Sequence, residues 1–374
     1  MIMKIAVIMK EFPVLSQSFI LNHITGLIDL GCDVDIYSEI NPKEQKMHTE
    51  VKEYDLINKT FYFDEEERMR KKESKDFLQM FLRKRYDIIH CHFGLTGNNF
   101  IFLKDSLGKT IKFITSFHGY DATRYPGPHH KGMYNEVFQK SDMIIANSKY
   151  IKQRLVSLGC KDEKICKLPA CLNIAKFSFK ARKCHLAGKV NILTIARLVE
   201  KKGIEYSIRA IAKAIESYPN ISYFIIGEGP LRENLERLII NLNCQEKIKL
   251  LGAMTHEELM RFYKKSHIFV LSSVTASDGN QEGQGLVLQE AQAVGLPVIA
   301  TRHNGIPEGV VDGKAGFLVP EKDVDALKEK IIYLIEHPEL WEKMGAFGRK
   351  FVERNYDILD VSRKLYKIYQ DIPI

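Results

Sequence analysis

The chain has 374 residues, 45% hydrophobic and 27% charged, with a formal net charge of +8. That length exceeds the roughly 250–300 residues at which single cores stop growing, so two domains are expected. No run approaches about eighteen uninterrupted apolar residues, which excludes a membrane-spanning helix. The positive balance suits an anionic partner without choosing among a phosphorylated ligand, anionic lipid and nucleic acid.

The seven cysteines, at 32, 91, 160, 166, 171, 184 and 244, are odd in number and include no CxxC pair. This argues against a disulfide framework and against a zinc site. Cys91 lies between His90 and His92, but neighbours on a strand point to opposite faces, so this trio makes a poor metal cage. The thiols are expected to be reduced and mostly in the core. The apolar start, 2–9, is too short for a signal peptide, and a cytoplasmic location is expected.

In chain order, residues 4–9 predict a buried strand, 10–16 a loop, and 18–30 a helix that Gly31 ends. Further strands are predicted at 33–37, 87–90, 111–117 and 143–146, with helices near 96–107, 131–140 and 149–158. Gly159 is a plausible left-handed cap for the last of these, and 165–168 then leads to Pro169. The stretch 64–85 runs from an acidic cluster into FLQMFLRKRY, where Phe77, Met80, Phe81 and Tyr86 interleave with Lys75, Arg83, Lys84 and Arg85. Such a helix either packs one face on its own domain or lies on an anionic membrane surface.

Between 171 and 188 no apolar period survives, which predicts a linker. A second series follows, with strands at 191–196, 222–226, 248–250, 268–271 and 298–300, and helices at 204–217, 231–242, 256–265 and 286–294. Thr255 and Glu258 have capping-box spacing. The tail, 323–369, is predicted helical throughout. Strands alternating with helices imply parallel sheets. The expected architecture is α/β, with two doubly wound Rossmann-like domains and a cleft between them. The expected boundaries are 1–170, a linker 171–188, 189–355, and a terminal helix 356–374 that crosses back to the first domain.

Doubly wound sheets bind ligands beyond the carboxyl ends of their strands. After 191–196 comes Arg197, and Lys202 with Gly203 opens the next helix. Two cations beside a helix N-terminus suit a diphosphate. Their neighbour Lys201 reads as ordinary surface charge. After 268–271 a long loop ends in Glu282-Gly283-Gln284-Gly285, and a helix begins at Leu286 and Val287. The glycines allow close approach of backbone to ligand. Glu282 and Glu290, one turn inside the helix, suit neutral hydroxyls of sugar and ribose better than phosphate. His118, freed by Gly119 at a strand end, can point into the cleft, and His90 and His92 end another strand. Gly227 and Gly229 either line a nucleotide pocket or form a tight turn. Asp33-Val34-Asp35 and Asp323-Val324-Asp325 fall in a strand and a helix start, and neither is read as a metal site.

These residues resemble the family 4 glycosyltransferases, which have the GT-B fold. ARLVEKKG at 196–203 is similar to that family's Arg…Lys-Gly diphosphate motif, and EGQGLVLQEAQAVGLPVIAT at 282–301 to its E-x7-E motif. EFPVLSQSFILNHITGL, HCHFGL, SFHGYD and SVTASDGNQEG most resemble members that build colanic acid and amylovoran. The resemblance implies a retaining, metal-independent hexosyltransferase of surface polysaccharide biosynthesis. In it Arg197 and Lys202 would neutralise the departing diphosphate, Glu290 would bind ribose, and Glu282 would hold the donor sugar. The backbone of 283–287 would meet phosphate or sugar, and His118 would lie near the reacting carbon. Ser16, His92, Tyr120 and Asp121 are expected on the acceptor side. One departure is the loop after the first strand, 10–16, which lacks the family's glycine pair.

No cofactor is expected. The donor would be a nucleotide-diphosphate sugar, UDP-linked by preference and GDP-linked as the second choice. The acceptor would be a glycan or a polyprenyl-diphosphate-linked saccharide, reached from the inner face of the cytoplasmic membrane. Nucleic acid is not an expected partner, because the charge is spread too evenly for a basic groove. Two other readings remain open: a sugar-nucleotide epimerase of the same fold, and a non-catalytic sugar-nucleotide-binding assembly protein.

Overall fold

A computed structural model describes residues 2–42, 47–63, 75–108, 111–126, 132–182 and 188–372, with the side chains of 75–77 excepted. The chain divides into two units, Met1–Leu172 with Ile358–Ile374, and Asn173–Asp357.

The first unit holds seven strands: β1 (Lys4–Glu11), β2 (Asp33–Ile40), β3 (Thr60–Tyr62), β4 (Ile88–His92), β5 (Lys112–Phe117), β6 (Met143–Ala146) and β7 (Ile165–Lys167). They pair in the order β3-β2-β1-β4-β5-β6-β7, and every pairing is parallel. Parallel strands are covered on both faces and so read as apolar runs. On one face, helix Ser18–Asp29 and the terminal helix Ile358–Asp371 bury Ile24, Leu27, Val361, Leu365 and Tyr369 against Val7 and Ile36. The other face is aromatic, with Phe81, Phe100, Phe113 and Phe117.

The second unit holds β8 (Val190–Ile195), β9 (Ile221–Ile226), β10 (Ile248–Leu250), β11 (Ile268–Leu271), β12 (Val298–Thr301) and β13 (Gly316–Val319). Their order is β10-β9-β8-β11-β12-β13, again all parallel. Strand order reverses beside β1 and β4 in one sheet, and beside β8 and β11 in the other. Loops leaving those strands diverge, and the gap between them is where such sheets bind ligands.

Local chemistry accounts for the helices. Helix Ile204–Ser217 buries Ile204, Ser207, Ile208 and Ile211 at helical spacing. The Thr255–Glu258 capping box forms as its spacing predicts. The predicted helix over 96–107 is two, Gly94–Phe100 and Phe102–Leu107. At the join the ladder tightens to a three-residue bond, from Lys104 N to Ile101 O at 3.0 Å.

The tail is likewise three helices, Val324–Glu336, Glu339–Tyr356 and Ile358–Asp371. The first stops at His337, because the residue before a proline is pushed out of the helical region. The second stops at Asp357, whose backbone is extended. Strands β3 and β13 were not expected. Residues 173–182 have no period, yet they pack: Arg182 is buried and donates to the Tyr263 carbonyl at 2.8 Å and the Ser266 carbonyl at 2.9 Å. Those carbonyls belong to the last turn and the C-cap of helix His256–Lys265. Residues 183–187, the rest of the expected linker, lie outside the described residues, as does the acidic cluster at 64–74.

Helix Lys75–Lys84 buries Phe81, which stacks on Tyr37 at 4.8 Å, while Leu82 is exposed. The helix therefore packs one face on its own unit. No described helix is long and apolar enough to cross a membrane. Cys32, Cys91, Cys160, Cys171 and Cys244 are buried free thiols, and Cys166 is partly exposed.

The terminal helix is keyed into the sheet at Tyr369, whose buried hydroxyl lies 2.6 Å from the buried His90 Nδ1 and whose carbonyl accepts from Lys112 Nζ at 3.0 Å. Tyr369→Phe leaves that ring nitrogen unpaired. It is expected to lower the unfolding free energy by about 1–2 kcal/mol, read from urea titrations. An unchanged midpoint and slope would show that the contact adds nothing.

Candidate active site

In the second unit the loops leaving β8 and β11 lie side by side. Gly203 sets their separation: its φ is +58°, and a Cβ there would stand 1.9 Å from the Ser272 carbonyl oxygen. Only glycine permits that approach. Val274 N donates to Lys201 O at 2.9 Å. The Glu200 carboxylate accepts from Ser277 N at 2.8 Å and from Ser277 Oγ at 2.7 Å. Lys201 is buried, with Nζ 3.3 Å from the Gln281 carbonyl, and so is not the surface charge its sequence suggests.

Lys202 forms an ion pair with Glu282, both largely buried. Arg197 projects from the end of β8, is exposed, and makes no ion pair among the described residues. Gly227 and Gly229 leave β9 beside that same strand end, where Leu198 N donates to Glu228 O at 2.8 Å. They form the turn that supports the Arg197 loop.

Gly283, Gln284 and Gly285 are buried, and Leu286 and Val287 are partly exposed. Gly285 has φ of +77° and caps helix Leu286–Ala293 without a side chain. The first N–H groups of that helix lack intrahelical partners and face the loop. Glu290 accepts a hydrogen bond from the buried Tyr263 hydroxyl at 2.9 Å.

The backbone of Glu282 is itself held. Its N–H donates to His303 Nε2 at 3.1 Å, and His303 Nδ1 lies 2.6 Å from Glu321 Oε1. Glu321 also accepts from Thr275 N at 2.8 Å. Asn304 Nδ2 donates to His303 Nε2 at 2.8 Å and to Gln281 Oε1 at 2.9 Å.

In the first unit, the strand ends of β4 and β5 carry stacked histidines. His90 and His92 lie 4.4 Å apart and His92 and His118 5.2 Å apart, ring centre to ring centre. His92 Nδ1 is 3.0 Å from His118 Nε2, and His90 Nε2 is 2.7 Å from Ser116 Oγ. His23, from helix Ser18–Asp29, joins the stack 5.8 Å from His92. His92 Nε2, His118 Nδ1 and both His23 nitrogens are buried without partners among the described residues.

Asp121 is fully buried. Its carboxylate accepts from the backbone amides of Gly94 at 2.9 Å, His118 at 3.1 Å and Gly119 at 2.8 Å. It organises the two strand ends, so its side chain is spent within the fold rather than offered to an acceptor. Tyr120 stacks on Phe93 at 5.1 Å and is partly exposed. Ser16 is exposed in the short turn Leu15–Gln17.

Comparison with known proteins places this arrangement. Residues 16–176 match the family model described as Glycosyltransferase Family 4, and residues 178–351 match Glycosyl transferases group 1. The chain is 32% identical over 372 residues to the amylovoran biosynthesis glycosyltransferase AmsK of Erwinia amylovora, covering 89% of this chain and 90% of that one. The chain belongs to the family 4 glycosyltransferases. It is also 28% identical, over 99% of its length and 100% of the relative's, to WcaL of Salmonella typhimurium, which is named for colanic acid biosynthesis. Among solved structures, Anabaena HepE in complex with UDP and glucose superposes with a TM-score of 0.80, covering 98% of this chain and 99% of that one at 16% identity. That likeness is one of fold, GT-B.

Within this glycosyltransferase the two glutamates of the E-x7-E segment differ in charge. Burial pushes the Glu282 carboxyl up, but the Lys202 and Lys201 ammoniums outweigh it and hold the group well below the usual range. Burial raises Glu290 to about 7, only partly offset by the Tyr263 hydroxyl. Burial also lowers the histidines, to about 4 for His23 and about 3 for His90, and well below the usual value for His92 and His118. The stack is therefore neutral at ordinary pH. It can donate and accept hydrogen bonds but cannot serve as a cation.

Sequence reading missed His303, Glu321 and Tyr263. For His303 a signal was present, since His303-Asn304-Gly305 leaves the end of β12 as His118-Gly119 leaves β5.

Glu290 yields a test with a defined sign. Between about 4.5 and about 7 the folded chain keeps a proton that the unfolded chain has released. Its contribution to stability therefore falls as pH rises through that window. Glu290→Gln is expected to melt above wild type at pH 8 by the equivalent of about 1–3 kcal/mol, and level with it at pH 5. A variant less stable than wild type at pH 8 would contradict the assignment.

Proposed function

We propose that this glycosyltransferase is a retaining, metal-independent hexosyltransferase of surface polysaccharide biosynthesis. It takes a sugar from a nucleotide-diphosphate donor and passes it to a glycan or polyprenyl-diphosphate-linked acceptor. One observation carries the reading: an exposed, unpaired Arg197 and a Lys202–Glu282 pair occupy adjoining strand ends at the switch of one sheet, with Glu290 one turn into the following helix.

On this reading, Arg197 and Lys202 neutralise the diphosphate as charge builds on it, a stabilisation fixed in place before reaction. Lys202 turns from Glu282 to phosphate, which frees the Glu282 carboxylate for hydroxyls of the donor sugar. Glu290 accepts the ribose hydroxyls. The leaving phosphate takes the acceptor's proton on the face it departs from, which retains the anomeric configuration without a carboxylate nucleophile. The first unit supplies the acceptor side, with neutral His118 near the reacting carbon. UDP is the preferred base, since HepE was solved with UDP and glucose. GDP is the second choice, because a Mycolicibacterium smegmatis relative, 28% identical over 66% of this chain, is named as GDP-mannose-dependent.

The test is thermal stabilisation by UDP, GDP, ADP and CMP at matched concentrations, with and without magnesium. One nucleoside diphosphate is expected to raise the melting temperature without metal. Arg197→Ala should weaken that binding roughly 10- to 100-fold. With the matching nucleotide sugar, the product should keep the donor's anomeric configuration by NMR. No shift with any nucleotide would favour a binding or assembly role, and an inverted product would exclude the front-face route.

We further propose that the protein attaches peripherally to the inner face of the cytoplasmic membrane. Exposed Leu82 beside Arg83 and Lys84 on helix Lys75–Lys84, and the lipid-linked acceptor, support this. Co-sedimentation with anionic liposomes at low salt, reduced by high salt and by Arg83→Glu, is expected. Indifference to lipid charge and salt would remove the idea.

A further inference from the structure

Glu282 belongs to a loop that ends in glycines, and a carboxylate on such a loop has no fixed position of its own. Lys202 pairs with the carboxylate, and a second set of contacts holds the Glu282 backbone. The Glu282 backbone N–H can only donate, so the His303 Nε2 that faces it at 3.1 Å must accept. The remaining ring proton then sits on Nδ1, facing the Glu321 carboxylate at 2.6 Å. The His303 side chain is fully buried, so no water competes for either nitrogen. Glu321 also holds Thr275 N at 2.8 Å, near the start of the same loop. The loop is thus fastened near both ends to one His–carboxylate pair, carried by the segments after β12 and β13.

We propose that His303 and Glu321 are positioning residues for the donor sugar. Glu321 fixes the tautomer of His303, and His303 holds the Glu282 backbone while the Glu282 side chain swings from Lys202 to the sugar. This rests on the reading above that Glu282 holds donor-sugar hydroxyls. It also predicts a separation that a merely structural role would not give. The diphosphate and ribose are held by Arg197, Lys202 and Glu290, whose backbones His303 does not touch. Losing His303 should therefore cost affinity for the nucleotide sugar and spare affinity for the nucleoside diphosphate.

The experiment compares UDP with UDP-glucose, and GDP with GDP-mannose, by isothermal titration, using the pair that the wild type binds. His303→Phe fills the buried volume without nitrogens, and His303→Gln restores an acceptor and a donor. In His303→Phe the diphosphate is expected to bind within about twofold of wild type and the nucleotide sugar about tenfold more weakly. His303→Gln should recover most of that loss. Equal weakening of both ligands in His303→Phe would overturn the proposal in favour of simple scaffolding, and so would no weakening of either. A wild type that binds neither diphosphate would overturn the donor site itself, seen before any variant is compared.

Discussion

The ion pair between Lys202 and Glu282 joins two loops that the sheet would otherwise leave independent. Strands β8 and β11 are neighbours at the point where strand order reverses, so the connections that leave them lead to opposite sides of the sheet order. Bringing a lysine from one to a glutamate of the other requires the close passage that Gly203 permits at Ser272. Both charges are largely buried. Each would be costly alone, and the partner charge offsets that cost. Arg197 is outside that balance. Arg197 is exposed at the strand end, whereas Lys202 is largely buried against Glu282.

The same pairing separates the roles of the two glutamates. They stand eight positions apart in one segment, yet Glu282 has cations against it and Glu290 has only a phenol. One is held ionised and the other is raised to about 7. Spacing alone could not reveal this, because it depends on Lys201 and Lys202 from another strand end and on Tyr263 from another helix. In the first unit the charge logic is different. Four histidines stack in a buried row with no carboxylate hydrogen-bonded to their rings among the described residues, and burial keeps them neutral. Between His92 Nδ1 and His118 Nε2 there is room for one proton only. The ring that carries it spends its only donor there, and the other ring has its proton on the outer nitrogen.

What could be read from the sequence follows from these physical distinctions. Parallel strands are short apolar runs, so β4, β8 and β11 stood out. Arg197, Lys202, Glu282 and Glu290 were found because they sit at strand ends or just inside a helix that leaves one. The terminal helices merged into one prediction because their apolar period continues across Pro338 and Asp357, and only backbone geometry separates them. Residues 173–182 looked like a linker because they have no apolar period, and nothing in the sequence signals that the Arg182 guanidinium is buried against helix carbonyls. Lys201 was misjudged for the same reason, since a lysine gives no sign in sequence of which carbonyl it will meet. Asp121 was expected on the acceptor side, and no residue pattern marks the three amides that its carboxylate holds. His303 and Glu321 were missed because they act on a backbone amide, and a backbone partner leaves no mark on the sequence.

Asp121 and Glu321 show that the two units solve one problem in the same way. A loop at the end of a parallel strand has amides that the sheet no longer pairs. In each unit a carboxylate from a neighbouring segment gathers them, directly at Gly94, His118 and Gly119 in one, and through His303 and at Thr275 in the other. The difference lies in depth. Burial dominates at Asp121 and raises it despite its amides, whereas at the shallower Glu321 the hydrogen bonds from His303 and Thr275 outweigh burial and lower it. Asp121 thus sits where losing its amide partners would be least forgiving. Glu321 retains its charge at the edge of the fold, where a histidine can carry its orienting effect inward to Glu282.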